Sequence, residues 1–251
     1  FTETNSGLSS DYIKKILPDP DGKTLWVAVD QSGELNKVDL STTTISRIKI
    51  KPTEGNSPRA LFALAATNRI LFLGTDVGVI AFDKQTGVST FVYRQNGQFS
   101  ANTNDLFIDS KNRLWFAVNN FPVSYSLATS EFTYYTYNII HSQLESNGIT
   151  NIFYEDKKGQ LWLGTNGYGL LALNESDKSF GYTDEFILLR DRSIMSMAET
   201  QKNHFLIATI QALYTYNRDD KSLTRQSFKT GFPLKALIKR GLYVSSTGDI
   251  Y

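Results

Sequence analysis

Short runs rich in Val, Ile, Leu, Phe, Tyr and Trp recur along this chain, broken by clusters of Gly, Asn, Asp and Ser. Such alternation of β-branched or aromatic runs with turn residues predicts strands joined by tight turns. Helical periodicity is nearly absent; only Ser142–Asn147 suits a single turn. The runs also repeat as a phrase: a β-rich run, a short polar turn, then an aromatic or aliphatic strand. Clear copies start at Tyr12, Thr103 and Ile149, and weaker ones at Ala60, Ile194 and Leu234. The anchor of each second strand is Trp26, Phe72, Trp115, Trp162, Leu206 and Tyr243, separated by about 46, 43, 47, 44 and 37 residues. A period near 40–50 is that of a four-stranded propeller blade.

The pattern therefore predicts an all-β β-propeller of about six blades, with repeats near residues 8–51, 58–94, 101–138, 147–184, 192–229 and 233–251 plus 1–4. In the first repeat the strands fall at about Tyr12–Leu17, Thr24–Val29, Glu34–Asp39 and Ile45–Ile50. In the fourth they fall at about Thr150–Glu155, Leu161–Gly164, Gly169–Leu173 and near Phe180. A blade has two apolar faces and buries both only by stacking on neighbours. The anchors are expected between blades, as core. The sixth repeat is incomplete, so either Phe1–Thr4 closes the ring or a seventh blade lies beyond Tyr251. Residues 1–251 read as a single propeller domain or a segment of a tandem one. The first residue is not Met, and the end resembles a strand just beginning, as expected of a piece of a longer chain.

Composition narrows the function. With 26 Lys plus Arg against 25 Asp plus Glu, the net charge of +1 gives no basis for nucleic-acid binding. The chain has no Cys, so disulfides and thiolate metal sites are excluded. No apolar stretch approaches a membrane span, so no direct membrane insertion is expected. The two histidines, His141 and His204, lack metal-ligand spacing; no metal and no cofactor is expected.

Carboxylates at Asp19, Asp21, Asp109, Asp156 and Glu155 recur in the first-to-second strand turn, which reads as turn chemistry. The spacing of Asp156 to Gly159 and of Asp21 to Gly22 does not fit a sialidase-type box, and no pair stands out for glycoside cleavage. The Gly-rich stretch Gly164–Gly169 joins two strands and lacks the helix and Lys of a phosphate cradle. Ligand-binding candidates lie on rim loops. Between second and third strands these are Asp30, Gln31, Asp76, Asn119, Asn120, Asn166, Tyr168 and Gln211; entering the inner strands they are Arg59, Asn102 and Arg192. Amides, carboxylates and an aromatic platform suit sugar hydroxyls and C–H faces. The segment Asn119-Asn120-Phe121-Pro122 departs most from the pattern and is expected to form a bulky loop. Phe132–Tyr137 reads as one outer strand, alternation placing Phe132, Tyr134 and Thr136 on one face and Thr133, Tyr135 and Tyr137 on the other.

The phrases GLSSDYIKKILPDPDGKTLWVAV from Gly7 and NGITNIFYEDKKGQLWLGTNGYGLLAL from Asn147 resemble the two-component regulator propeller repeat. Matching residues are Gly7-Leu8, Leu25-Trp26, Gly74-Thr75, Leu114-Trp115, and Gly159, Leu161, Trp162, Gly164, Thr165 and Gly169. The second repeat has Phe72 for Trp, and the fifth has Leu206 followed by Ala208-Thr209. The resemblance implies the periplasmic sensor segment of a hybrid two-component histidine kinase. It also implies an oligosaccharide ligand, control of glycan-utilisation genes, further propeller, β-sandwich and kinase modules in the same chain, and a homodimer. This segment itself is expected not to be an enzyme. The alternatives are a non-binding scaffold or dimerisation propeller of the same receptor, and a propeller polysaccharide lyase or glycosidase.

Overall fold

The computed structural model describes residues 7–94, 105–139, 150–190, 192–200, 203–226 and 242. The first sheet holds β1 (Ile13–Pro18), β2 (Thr24–Val29), β3 (Glu34–Asp39) and β4 (Ile45–Lys49), paired in that order. The second holds β5 (Leu61–Ala66), β6 (Ile70–Thr75), β7 (Gly78–Asp83) and β8 (Ser89–Arg94). The third holds β9 (Phe107–Ile108), β10 (Arg113–Val118), β11 (Phe121–Ser126) and β12 (Phe132–Tyr134). After β13 (Thr136–Asn138), the fourth sheet runs through β14 (Thr150–Glu155), β15 (Leu161–Thr165), β16 (Leu170–Asn174) and β17 (Ser179–Gly181). The fifth holds β18 (Ile194–Glu199), β19 (His204–Thr209), β20 (Leu213–Asn217) and β21 (Ser222–Arg225). Five four-stranded blades are thus described where about six were expected. Of the sixth repeat only Leu242 is described; Tyr243 and residues 1–4 lie outside the described residues. The chain divides into two compact units, residues 1–108 with 114–119, and residues 109–113 with 120–251.

Two expectations change. Phe132–Tyr137 is not one strand. It breaks at Tyr135, and β13 leaves the third sheet to pair in parallel with β17 of the fourth. Tyr135 turns inward, with its ring 5.9 Å from that of Phe180, while Tyr134 stays 60% exposed. The same crossover begins after β4, where Thr53 N–H donates to the carbonyl of Ser89 in β8 at 2.9 Å. Each crossover occupies hydrogen-bonding groups on the outer edge of the next sheet, an edge otherwise open to pairing with other chains. Second, a 3₁₀ segment, Asp184–Leu189, lies between β17 and β18. Six residues are too few for a periodic signal, and it is held by tertiary burial of Phe186 and Leu189.

The small residue late in each second strand has a packing cause. Lys15, Ala63, Ile152 and Ser196 stand opposite Ala28, Gly74, Gly164 and Ala208, each just past a bulge in the inner strand. A Cβ on Gly164 would lie 2.7 Å from Ile152 Cγ1 and 2.9 Å from Ile194 Cγ2, so the inner strand of the following blade requires its absence.

The anchors Trp26, Phe72, Trp115, Trp162 and Leu206 are all buried. Trp26 packs with Leu61, Leu71, Leu73 and Phe82 of the second sheet. Trp162 packs with Met197, Phe205 and Tyr216 of the fifth, with Phe186 edge-on at 4.9 Å. Trp26 and Trp162 thus each fill the space between their own blade and the next.

Two of the anchors are tied by a shared carboxylate. Trp26 Nε1 donates to Asp19 Oδ2 at 2.6 Å, and Lys84 Nζ of the second blade reaches the same oxygen at 2.6 Å. Trp162 Nε1 donates to Asp156 Oδ2 at 3.0 Å, and Arg218 Nη2 of the fifth blade reaches that oxygen at 2.7 Å. The other oxygen closes the turn: Asp156 Oδ1 accepts from the N–H groups of Lys158 and Gln160. Lys84 and Arg218 hold the same position, one residue past the third strand, and both bond by N–H to the preceding hairpin of their own blade (Arg69 O, Asn203 O). In the fourth blade that position is Glu175, and the local charges are rearranged to suit. Arg113 bridges Asp109 Oδ2 at 2.7 Å and Glu175 Oε1 at 2.8 Å. Where the anchor is Phe72, with no N–H, the turn has Thr67 in place of Asp, and the position past the third strand of the following blade is Leu127. A buried carboxylate is tolerated only where its partners are present. The turn's next residue adds a second tie: Ser110 N–H donates to Glu155 Oε2 and Lys157 N–H to Glu199 Oε2, each at the end of the next blade's inner strand.

Two outcomes follow. Trp162→Ala should cost about 3–5 kcal/mol in chemical denaturation, since it removes a large buried ring and leaves Asp156 short of one donor. The second concerns pH. Burial opposes the charge on Asp19 and Asp156, yet bonds from Lys84 and Trp26 in one case, and from Trp162, the Gln160 N–H and Arg218 in the other, hold both below the usual 3.8. The folded state therefore favours the ionised form, and this stability is present above the ordinary aspartate value and lost as pH falls through the lower folded values. Melting temperature should be flat from about pH 7 to 5 and drop below about pH 4. Asp156→Asn should lower it at neutral pH and weaken the acid drop; a melting temperature that rises on acidification would contradict the arrangement.

Candidate functional site

The second-to-third strand turns and the connections into the inner strands share one end of each blade. Thr75, Thr165 and Thr209, all buried, end their second strands there. Their hydroxyls donate to the carbonyls of Gly78, Gly169 and Ala212, and accept from the N–H groups of Val77, Tyr168 and Gln211. Gly169 has φ +74°, and a Cβ would lie 2.4 Å from the carbonyl of Leu189, so only Gly lets that connection approach. The Gly-Thr…Gly phrase is thus a backbone device that fixes where rim side chains stand.

Within the first unit, Asp76 Oδ1 accepts from the N–H groups of Arg59 and Ala60, which ties the turn to the entry of β5. Asp30 pairs with Lys14 at 2.9 Å, and Gln31 is exposed at φ 65°. Within the second, Arg192 Nη1 donates to Gln211 Oε1 at 3.1 Å, and Ser193 Oγ donates to Asn166 Oδ1 at 2.8 Å. Arg192 and Gln211 line a hollow of about 120 Å³ with Ser193 and Ile210. Tyr168 is half-buried beside Thr165. Asn119 and Asn120 do not make a bulky loop. Both have positive φ (49° and 69°) in a two-residue connection between β10 and β11, the conformation Asn supports in a tight hairpin. The Asn120 carbonyl accepts from Tyr137 Oη at 2.6 Å and Thr150 Oγ1 at 3.2 Å, and burial pushes the Tyr137 phenol well above its usual range. Asn102 and His141 lie outside the described residues; His204 begins β19 opposite Asn217. Among the described residues no cluster of three metal-ligating side chains forms.

The larger concavity lies at the opposite end, where the hairpins of the fourth and fifth blades meet. It is a cleft of about 900 Å³ walled by Lys158, Gln160, Thr183, Asp184, Asn203 and Lys221, with Trp162, Tyr216 and Arg218 at its base. The Arg218 side chain is 8% exposed, and besides Asp156 it holds Glu185 Oε1 by Nε at 2.8 Å. Burial would lower its affinity for the proton; bonds to Glu185 and Asp156 raise it instead. Its guanidinium stands 4.5 Å over the Phe205 ring. Tyr154 Oη accepts from the Glu199 N–H nearby, and burial pushes that phenol up to about 12. Sequence reasoning missed this end. The available signal was the residue after each third strand, Lys84, Glu175 or Arg218, whose charge follows the turn residues of the preceding repeat.

Comparison with known proteins fits this geometry. The two component regulator propeller family matches residues 143–167. No curated protein sequence matches the chain. Among solved structures, the extracellular domain of BT4673 from B. thetaiotaomicron, assigned to a hybrid two component system, superposes with a TM-score of 0.74 at 20% identity, over 97% of this chain and 32% of that one. The extracellular domain of BT3049 from the same organism, with the same assignment, gives 0.72 at 18%, over the same shares. A catalytically inactive virginiamycin B lyase from Staphylococcus aureus gives 0.68 at 11% over all of this chain and 86% of that one. The chain spans about a third of the length of the first two. At these identities the superpositions establish a β-propeller fold. The chain thus carries a match to the two component regulator propeller model at residues 143–167 within a β-propeller fold.

Proposed function

We propose that this chain is the extracytoplasmic ligand-recognition segment of a two-component receptor, that its ligand is an oligosaccharide, and that its signal controls glycan-utilisation genes. The observation that carries the reading is the coincidence of the family's repeat with a fold shared over 97% of the chain with extracellular domains assigned to such systems. A periplasmic location is part of the same reading, and among the described residues no helix is long and apolar enough to cross a membrane. On this reading, residues 1–251 form one propeller or part of a tandem, and the kinase activity belongs to other modules of the parent.

The rim of the second unit suits the ligand. Arg192 and Gln211 are pre-oriented by their own hydrogen bond, Asn166 is fixed through Ser193, and Tyr168 belongs to the same turn as Asn166. This gives planar bidentate groups next to a ring, the pairing that sugar hydroxyls and C–H faces use. A scaffold or dimerisation role has one observation in its favour: β1 and its approach leave Tyr12, Ile13 and Ile16 exposed together.

The test is calorimetric titration of the chain with oligosaccharides of plant, host and microbial classes, alongside a transcriptional reporter driven by the parent receptor. Arg192→Ala or Tyr168→Ala should weaken binding and shift the reporter's response about tenfold, the loss of one good charged hydrogen bond or stacking contact. Unchanged affinity in both variants, with a reporter response lost only on changing Ile13 or Ile16 to Asp, would favour the scaffold reading.

A further inference from the structure

The cleft between the fourth and fifth hairpins carries features that its structural role does not need. Trp162 and Arg218 at its base, both bonded to Asp156 behind them, account for the packing of the two blades. Two polar atoms beside them are left over. Arg218 Nη1 is buried with no hydrogen-bond partner, and Glu199 Oε1 lies 3.9 Å from it. Thr183 Oγ1 is likewise buried without a partner. Thr183 stands where a hydroxyl would cap the 3₁₀ segment, yet it makes no capping bond. A buried hydroxyl or guanidinium N–H left unmade costs free energy, and both atoms belong to residues that line this one cleft.

The charges of the walls indicate what that group is. Among the lining residues Lys158, Arg218 and Lys221 are matched by Asp184, Glu185 and Asp219, and Asp156 and Glu199 lie against Arg218 behind them, so the cleft has no surplus positive charge to attract a phosphate or a carboxylate. Arg218 has already committed Nε to Glu185 and Nη2 to Asp156, so it cannot clamp a carboxylate in bidentate fashion. Asn203 commits its amide N–H to Asp219, and Gln160 commits its own to the carbonyls of Leu161 and Leu173. What remains around the cleft is a mixture of donors (Arg218 Nη1, Lys158, Lys221) and acceptors (Asp184 and the amide oxygens). A hydroxyl both donates and accepts and carries no charge, which matches such a mixture. The volume of about 900 Å³ is within the range of small-ligand sites.

We infer that this cleft is a binding site for an uncharged, hydroxyl-rich ligand the size of a short oligosaccharide, with Thr183 Oγ1 and Arg218 Nη1 as the groups that bind it. The site is at the opposite end of the blades from the rim residues proposed above and does not depend on them.

The experiment uses the whole chain, and its probes are maltotriose, cellotriose, xylotriose and galactotriose, with trigalacturonate as the anionic counterpart, each titrated by calorimetry. Thr183→Val keeps the shape and removes the hydroxyl. Because that hydroxyl has no partner in the free protein, the variant should melt at or above the parent temperature while binding a neutral probe roughly three- to tenfold more weakly. Asp184→Ala with Lys221→Ala, both exposed residues, should weaken it further, and Lys51→Ala, exposed in the first unit, should leave it unchanged. A neutral probe whose affinity survives Thr183→Val and the double variant but falls in Arg192→Ala would overturn this site and leave the receptor reading standing. Preference for trigalacturonate would overturn the assignment of a neutral ligand. No heat from any probe up to about 10 mM would overturn the site altogether, while the reporter assay would still test the receptor reading.

Discussion

The structure depends on a carboxylate that cannot be satisfied by its own blade. An aspartate buried in a hairpin turn must find donors for both oxygens. Its turn supplies backbone N–H groups for one, and the indole of its own second strand reaches the other. The remaining donor comes from the next blade: Lys84 for Asp19, Arg218 for Asp156. Blade stacking buries apolar area but is nearly indifferent to small rotations, because hydrophobic contact has no direction. A shared hydrogen-bonded oxygen is directional, and it fixes the angle and register at which one blade meets the next.

Much of this was legible. The strands of the first and fourth repeats stand within a residue or two of their expected places, because Asp, Asn and Gly mark each turn and anchors recur at a fixed place in the second strand. Two features were not. The run Phe132–Tyr137 keeps its alternation through the point where the chain changes sheets, so nothing local shows that Tyr135 turns in and β13 joins the fourth blade. The 3₁₀ segment Asp184–Leu189 owes its conformation to Phe186 lying among Trp162, Phe205 and Tyr216, contacts that are distant in sequence.

The site was legible in kind more than in place. Asn119 and Asn120, which looked like the most distinctive loop, are a tight turn, since Asn at positive φ serves the backbone as readily as it serves a ligand. Arg192 meets Gln211, and its neighbour Ser193 meets Asn166, because Gly169 lets the connection carrying Arg192 approach the turn that carries Asn166 and Tyr168. Arg218, which joins packing to the cleft, resembles any polar turn residue until its partners Asp156 and Glu185 are in place.

The most direct test of the shared carboxylate is a double-mutant cycle on Asp19 and Lys84. The natural alternative is already present in the chain, where Thr67, Phe72 and Leu127 occupy corresponding positions. If the ionic tie is as described, Asp19→Thr alone costs about 3–5 kcal/mol, because it strands a buried ammonium, and adding Lys84→Leu recovers more than half of the loss. Losses that simply add in the double variant would show that the two groups do not depend on each other, and would contradict the account.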